Sequence, residues 1–301
     1  MELLSKEVFV PHEENRCVFP GFIKYISDTQ PILMHRRGWM DASDTYDDFS
    51  DYISYDNGRT WNQGELRLQS KTTPEGKDRY AENTAFFDSR HQRLHTFTSH
   101  ATYSPDRPIS RNYWEIEFNT YDVKTGQWGQ PWRSRLGHDM SGLMLSFSVP
   151  FFLNKDVVIV PSQKPRLDEQ GNIMAMPGYY HSILEAHVLI GRRNVKGNFD
   201  WTTSSPATIS SDISSRGLIE PAVQQLRDGS LIMICRGDNG VFPEKPGYKW
   251  LCQSFDQGQT WSAPRPLTFS DGTHVESGSA GSSVFRSFKD GHLYWLGNLA
   301  I

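Results

Sequence analysis

Two octets of this chain are nearly identical. Ser54-Tyr55-Asp56-Asn57-Gly58-Arg59-Thr60-Trp61 and Ser254-Phe255-Asp256-Gln257-Gly258-Gln259-Thr260-Trp261 both read Ser-aromatic-Asp-x-Gly-x-Thr-Trp. Such an octet encodes a tight hairpin. The Asp side chain accepts bonds from backbone N–H groups a few residues on, the Gly supplies a positive φ, and Thr and Trp re-enter a strand. The Trp ring is large enough to plug a gap between neighbouring sheets. Apolar residues alternate just before each octet, as in Trp250, Cys252 and Ser254, which is strand periodicity.

Weaker copies lie between the two. Thr120 to Trp128 keeps the Asp, Gly and Trp, and Asn194 to Trp201 keeps the Gly and Trp. The hairpins thus recur roughly every 60 to 75 residues, a spacing that suits four-stranded propeller blades with insertions. A pair of strands opens each unit: Cys17–Ile26 and Pro31–His35, Asn83–Asp88 and Arg93–Ser99, Phe147–Leu153 and Val157–Pro161, Glu220–Leu226 and Ser230–Arg236, Ser282–Phe288 and His292–Asn298. The fifth unit has two strands and no hairpin. The expected fold is all-β, one propeller domain over residues 1–301 with about four and a half antiparallel blades. An unclosed ring exposes bare sheet edges, so truncation at the C-terminus is the expectation. No long stretch has helical periodicity.

Composition narrows the function. With 37% hydrophobic and 22% charged residues the chain is of ordinary globular make-up, and its formal charge of −4 with no basic tract argues against nucleic acid. Cys17, Cys235 and Cys252 have neither disulfide-framework nor metal-ligand spacing. Met1 to Pro11 lacks the apolar core of a signal peptide, and no apolar run approaches the roughly 18 residues of a membrane helix. A cytoplasmic protein, without membrane, metal or cofactor, is the expectation.

The two octets are similar to the Asp box of sialidases and related bacterial neuraminidase repeat proteins. The resemblance covers roughly Arg16 to the end. It implies a sialidase-like propeller, of about six blades when complete, and a structural, peripheral role for Ser54, Asp56, Gly58, Trp61, Ser254, Asp256, Gly258 and Trp261. It also implies a glycan or small acidic sugar as partner and exo-acting glycoside hydrolysis as the activity. Elimination by a polysaccharide lyase, a rhamnose- or uronate-cleaving activity, and glycan binding without catalysis are the alternatives.

In a propeller, first-strand starts and second-strand ends crowd the channel mouth. Here they offer Arg16-Cys17, Glu82-Asn83, Ser146, Glu220 and Ser279 to Ser282, with His35-Arg36-Arg37, Ser99-His100, Ser162-Gln163-Lys164, Arg236-Gly237-Asp238 and Asn298. The resemblance pairs Glu220 with Arg236: the Glu polarises a Tyr nucleophile and the Arg clamps a substrate carboxylate, a grip suited to a guanidinium fork. A Glu–Arg pair that merely ties two strands has the same signature. The first strand departs from the family, with Val18-Phe19-Pro20 where Arg-Ile-Pro is usual, so Arg36 or Arg37 would supply that charge. A general acid is expected among Asp41, Asp44, Asp47, Asp48 and Asp51, with Asp44 as the choice; their spacing is not that of an EF-hand loop. Tyr180 and His181 suit sugar stacking and proton transfer, and His100 is a second candidate base. His100, Lys164 and Asp238 complete the candidate substrate contacts, and the loop Gly237 to Lys249 forms a wall of the site.

Overall fold

A computed structural model describes residues 8–12, 14–40, 46–104, 114–134, 142–145, 149–179, 181–245, 247–277 and 280–299. Among them there are strands, turns and no helix. Blade one is the sheet β1 (Cys17–Tyr25), β2 (Leu33–Met40), β3 (Tyr46–Ser54) and β4 (Glu65–Leu68), in that order. Blade two holds β6 (Gly76–Asp88), β7 (Arg93–Tyr103) and β8 (Trp114–Asp122), with β5 (Lys71–Thr73) beside β6 and both β9 (Gln127–Trp128) and β10 (Trp132–Arg133) beside β8. Blade three has β11 (Met144–Leu145) and β12 (Phe151–Asn154) along β13 (Val157–Pro165), then β14 (Leu184–Arg193) and β15 (Phe199–Thr203). Blade four runs β16 (Ile219–Gln225), β17 (Leu231–Arg236), β18 (Lys249–Ser254) and β19 (Arg265–Pro266). A two-stranded sheet, β20 (Ser283–Arg286) and β21 (Leu293–Leu296), completes the described chain. Every named strand pairing is antiparallel.

The octets fold as their chemistry dictates. The Ser54 hydroxyl donates to Asp56 Oδ1 at 2.8 Å and accepts the Gly58 N–H at 2.8 Å, while Asp56 accepts the Thr60 N–H at 2.8 Å and the Thr60 hydroxyl at 2.6 Å. Ser254, Asp256, Gly258 and Thr260 repeat this set at 2.8, 2.9, 2.9 and 2.5 Å. Asn57 and Gly58 have φ of 62° and 82°, Gln257 and Gly258 62° and 87°, so Gly takes the second left-handed position of each turn at no steric cost. In the weaker copies, Asp122 accepts the N–H groups of Lys124 and Thr125, and Asn194 accepts those of Lys196 and Asn198.

Three of the four hairpin tryptophans wedge against the preceding blade. Trp128 of blade two packs on the cluster holding Phe22, Ile26 and Met34 of blade one. Trp201 of blade three packs on Phe86, Phe97 and Phe118 of blade two. Trp261 of blade four packs on Ile159, Val188 and Ile190 of blade three. Trp61 sits instead against Phe9 and His35 of its own blade region.

The strands run further than their apolar patterns indicate. β2 continues to Met40, β6 begins at Gly76, β7 extends to Tyr103, and the first strand of blade three begins at Met144, with residues 146–148 outside the described set. These extensions carry charged and polar residues that find partners across the sheets, which hydrophobic periodicity alone does not register. The first strands of blades one, two and four each carry a register shift near the same end: between Pro20 and Ile23, Tyr80 and Asn83, and Ile219 and Ala222. Such a bulge bends the strand and re-aims one side chain. In blade four the re-aimed residue is Glu220.

Replacing Trp261 by Ala leaves a hole between blades three and four and costs roughly 3 kcal/mol; the midpoint of urea unfolding reads it. The Thr60 bonds hold the Asp56 carboxyl down to about 2. A depressed carboxylate stabilises fully above its unfolded value and loses that contribution as pH falls through the folded one. The protection of the Thr60 amide, measured as exchange relative to an unfolded peptide at the same pH, is therefore expected to hold down to about pH 4 and to fall as pH approaches 2.

Candidate functional site

Glu220 and Arg236 meet at the end of blade four remote from its hairpin. Arg236 Nη1 donates to Glu220 Oε1 at 2.7 Å, and both side chains are about one-sixth exposed, at 17% and 16%. Glu220 is held in the left-handed region with φ of 51°, and its N–H donates to Gln163 Oε1 of blade three at 2.7 Å. A non-glycine residue there is uncommon, so the bulge holds Glu220 at a cost in backbone strain. Its second oxygen, Oε2, is buried without a hydrogen-bond partner among the described residues.

Around this pair lie groups from three chain segments. Lys249 faces Arg236 across the sheet and is 1% exposed; its ammonium donates to the Ala280 carbonyl. Burial pushes Lys249 down to about 8. Arg216 precedes β16 and lies within electrostatic reach of Arg236, Asp238, Glu220 and Tyr179. Burial first, and the Arg236 charge next, push Arg216 below the usual arginine range, and its Nε is buried without a hydrogen-bond partner among the described residues. The Tyr179 hydroxyl donates to Asp238 Oδ1 at 3.3 Å, and the His181 ring stands edge-on to Tyr179 at 5.3 Å. Asp238 is 6% exposed; its carboxylate also accepts the Gly240 N–H, and its own N–H donates to Ser214 Oγ.

Of the residues expected from sequence, Glu220, Arg236, Asp238 and His181 are thus gathered into one cluster. Lys164 is half-buried at the end of β13, opposite Glu185. Asp44 and Tyr180 lie outside the described residues. Gln163, from the expected second-strand ends, and Lys249, the last residue of the loop expected to wall the site, join it as well, and Tyr179 and Arg216 do so without having been named for it. The signal for Arg216 was present: it stands four residues before Glu220, beside Gly217. Lys249 is the first residue of the strand opposite Arg236.

Arg36 is buried between two blades where no ligand reaches it, which corrects the expectation for it, while Arg37 and His100 are held by neighbours in their own blades. Because β2 runs on to Met40, Arg36 lies mid-strand and faces blade two. It is 1% exposed, donates to both Asp51 oxygens at 2.7 and 2.9 Å and to Thr98 Oγ1 at 3.2 Å, and lies over the Phe22 and Trp128 rings. All of its forks are turned inward, so it locks two blades together. Arg37 lies over the Tyr52 ring at 4.0 Å and donates to the Tyr52 hydroxyl. His100 is 5% exposed, bonded through Nδ1 to Glu115 at 3.0 Å and packed on Tyr80, whose hydroxyl accepts from Arg133. Asp47 and Asp51, from the acidic run, are ion-paired to Arg16 and Arg36.

Three further expectations meet the structure here. Among the described residues no group of three or more His, Cys, Asp or Glu is arranged to hold a metal. The three cysteines are unpaired. Among the described residues no helix is long and apolar enough to cross a membrane.

No protein-family model matches the sequence, and no curated protein does. Solved structures do match. The chain is similar to a Hadza microbial sialidase, Hz136, at 14% identity and a TM-score of 0.58, over 91% of this chain and 50% of that one. It is similar to the NanB sialidase from Streptococcus pneumoniae in complex with 2-[(3-chlorobenzyl)ammonio]ethanesulfonate, at 12% identity and 0.57, over 91% and 56%. It is also similar to a PL25 ulvan lyase bound to -[GlcA(1-4)Rha3S]-, at 11% identity and 0.57, over 89% and 59%. The molecule is therefore a β-propeller. Its fold is the sialidase-like one, and the chain spans between half and six-tenths of the length of these three relatives.

The placement of Arg36 makes a definite prediction. Arg36→Ala strands the Asp51 carboxylate between blades and costs about 3–5 kcal/mol, read by thermal unfolding. Arg37→Ala at the half-buried neighbouring position costs less than about 1 kcal/mol.

Proposed function

We propose that this propeller is a carbohydrate-active protein that takes the terminal acidic sugar of a glycan at the Glu220–Arg236 cluster and hydrolyses its glycosidic bond. The observation that carries the reading is the charge count at that cluster. Arg216, Arg236 and Lys249 face two carboxylates, Glu220 and Asp238, and the buried Nε of Arg216 has no hydrogen-bond partner among the described residues. A sugar carboxylate supplies the missing anion, and guanidinium groups grip carboxylates in a bidentate fork. Glu220 Oε2, buried and unpartnered, takes a sugar hydroxyl donor.

The chemistry follows from the second pair. Tyr179 donates to Asp238, so the carboxylate receives the phenol proton as the phenol oxygen bonds to the anomeric carbon. The bond from that carbon to the leaving oxygen breaks as the oxygen takes a proton from a general acid, the role for which the sequence offers Asp44. Water then attacks the same carbon and gives its proton to the carboxylate that had acted as acid, while the bond from that carbon to Tyr179 breaks and the phenol oxygen recovers its proton from Asp238. Glu220 holds Arg236 in place in this scheme, and Asp238 serves the nucleophile. Two of the structural neighbours are sialidases.

One observation favours elimination instead. His181 lies against Tyr179 in a cluster lined by Arg216 and Arg236, the arrangement needed to abstract a proton beside a neutralised uronate. The ulvan lyase neighbour is bound to a GlcA-containing oligosaccharide.

Aryl sialosides and uronate-capped oligosaccharides separate the readings. Hydrolysis releases the aryl chromophore, and elimination yields an unsaturated uronate with its ultraviolet band. Calorimetric binding with neither product makes the protein a lectin-like propeller, and no binding of any acidic sugar ends the proposal. Arg216→Ala is expected to weaken acidic-sugar binding about tenfold or more, and Asp238→Asn to slow turnover about a hundredfold. Affinity for the acidic sugar falls as pH rises through about 8, where Lys249 loses its charge.

A further inference from the structure

The gap between blades two and three is not filled to its outer end. Radial sheets diverge away from the axis, and here the hairpin tryptophan Trp201 fills part of the wedge together with Phe97, Phe118 and Phe199. Outside them lies a recess of about 320 Å³. That is the lower end of the range for small-ligand sites, about 300–1,000 Å³. It lies on the seam between these two blades and includes none of the Glu220–Arg236 cluster.

The walls have two kinds of surface. One is aromatic: Trp132 stands over Phe118 at 4.7 Å between ring centres and is 46% exposed, an unusual degree for an indole. The other is neutral and polar, supplied by His95, Asn119, Gln130 and Asn198 among others. No Asp, Glu, Lys or Arg lines the recess. Two of the polar groups are buried and lack hydrogen-bond partners among the described residues, Asn119 Nδ2 and His95 Nε2. Buried polar atoms without partners are costly, so they mark places where a ligand atom is accommodated. The His95 ring, stacked on Phe86 at 4.8 Å and edge-on to Phe199 at 5.4 Å, is fixed in place. Burial pushes His95 down to about 4, so it is neutral at physiological pH.

The geometry points to a second binding site here, for one neutral pyranose ring. An exposed indole offers a flat apolar face to the axial C–H groups of a sugar. Uncharged amide and imidazole groups at the margin suit hydroxyls, which both donate and accept. A purely apolar ligand would leave those amides desolvated, and the one cation whose side chain hydrogen-bonds to the lining among the described residues, Arg93 on Asn198 Oδ1, is already paired with Asp122. The charged mouth and this neutral recess are therefore built for different parts of sugar chemistry. The inference does not rest on the function proposed above.

Saturation-transfer NMR with methyl β-D-galactopyranoside and methyl α-L-rhamnopyranoside tests it, with intact protein and glycoside up to tens of millimolar. At least one glycoside is expected to give a saturable signal. Trp132→Ala should weaken that binding about tenfold, and Gln130→Ala, at an exposed position that does not threaten folding, should weaken it several-fold. Arg216→Ala should leave it unchanged while weakening acidic-sugar binding at the mouth about tenfold or more. The absence of a saturable signal with both glycosides overturns the assignment. So does a signal indifferent to both Trp132→Ala and Gln130→Ala, or one lost only in Arg216→Ala.

Discussion

Flat sheets set radially about an axis leave wedge-shaped gaps, and the structure depends on how those gaps are filled. Three of the four hairpins turn the chain back sharply enough to throw a tryptophan across to the preceding blade. Trp128, Trp201 and Trp261 do this in three successive gaps. The turn is held by charge-assisted bonds from one carboxylate, Asp56 or Asp256, to the backbone and hydroxyl of a Thr four residues on. The weaker turns before Trp128 and Trp201 use Asp122 and Asn194 as acceptors of backbone N–H groups to the same end. The same geometry explains why a recess survives between blades two and three: where the aromatic residues run out, the wedge stays open.

The polar side of the interblade contacts obeys a stricter rule. Arg36 and Asp51 are each nearly inaccessible, and they satisfy each other across adjacent strands before Arg36 reaches Thr98 in the next blade. Arg193 repeats the device at the blade two–three seam by donating to Asp88, with His91 at hand. Pairs of this kind contribute little to net stability, yet they penalise any misregistered packing that separates the partners. The Glu220–Arg236 pair differs in one respect. Among the described residues Glu220 Oε2 and, nearby, Arg216 Nε have no hydrogen-bond partner, and the carboxylate comes from a strained bulge. Strain and unsatisfied polar atoms in one place are features that packing alone does not produce.

The candidate site occupies the ends of strands for a reason of geometry. Strand interiors commit their backbone groups to the ladder, whereas bulges and strand ends release a side chain toward the axis. The likeness to sialidases and to a lyase, at 11 to 14% identity, is a likeness of this scaffold. Which chemistry it carries depends on the few side chains that the bulges and loops deliver.

The hairpins, the four blades, the order of their strands and the Glu220–Arg236 pair were legible in the sequence. They rest on local rules: an Asp and a Gly at set offsets make a turn, and alternation marks a strand. What the sequence could not show was reach. Apolar periodicity stopped at His35 and Ser99, so Arg36 and His100 looked like strand ends; polar cross-strand partners carry those strands on to Met40 and Tyr103 and bury both side chains. Arg216, Tyr179 and Lys249 come to Glu220 from separate segments. No spacing along the chain encodes that convergence, because the closing of blade three on blade four creates it. Tertiary structure alone decided which charges turn inward as ties between sheets and which remain available to a ligand, since that choice is made by the neighbour on the other side of the seam.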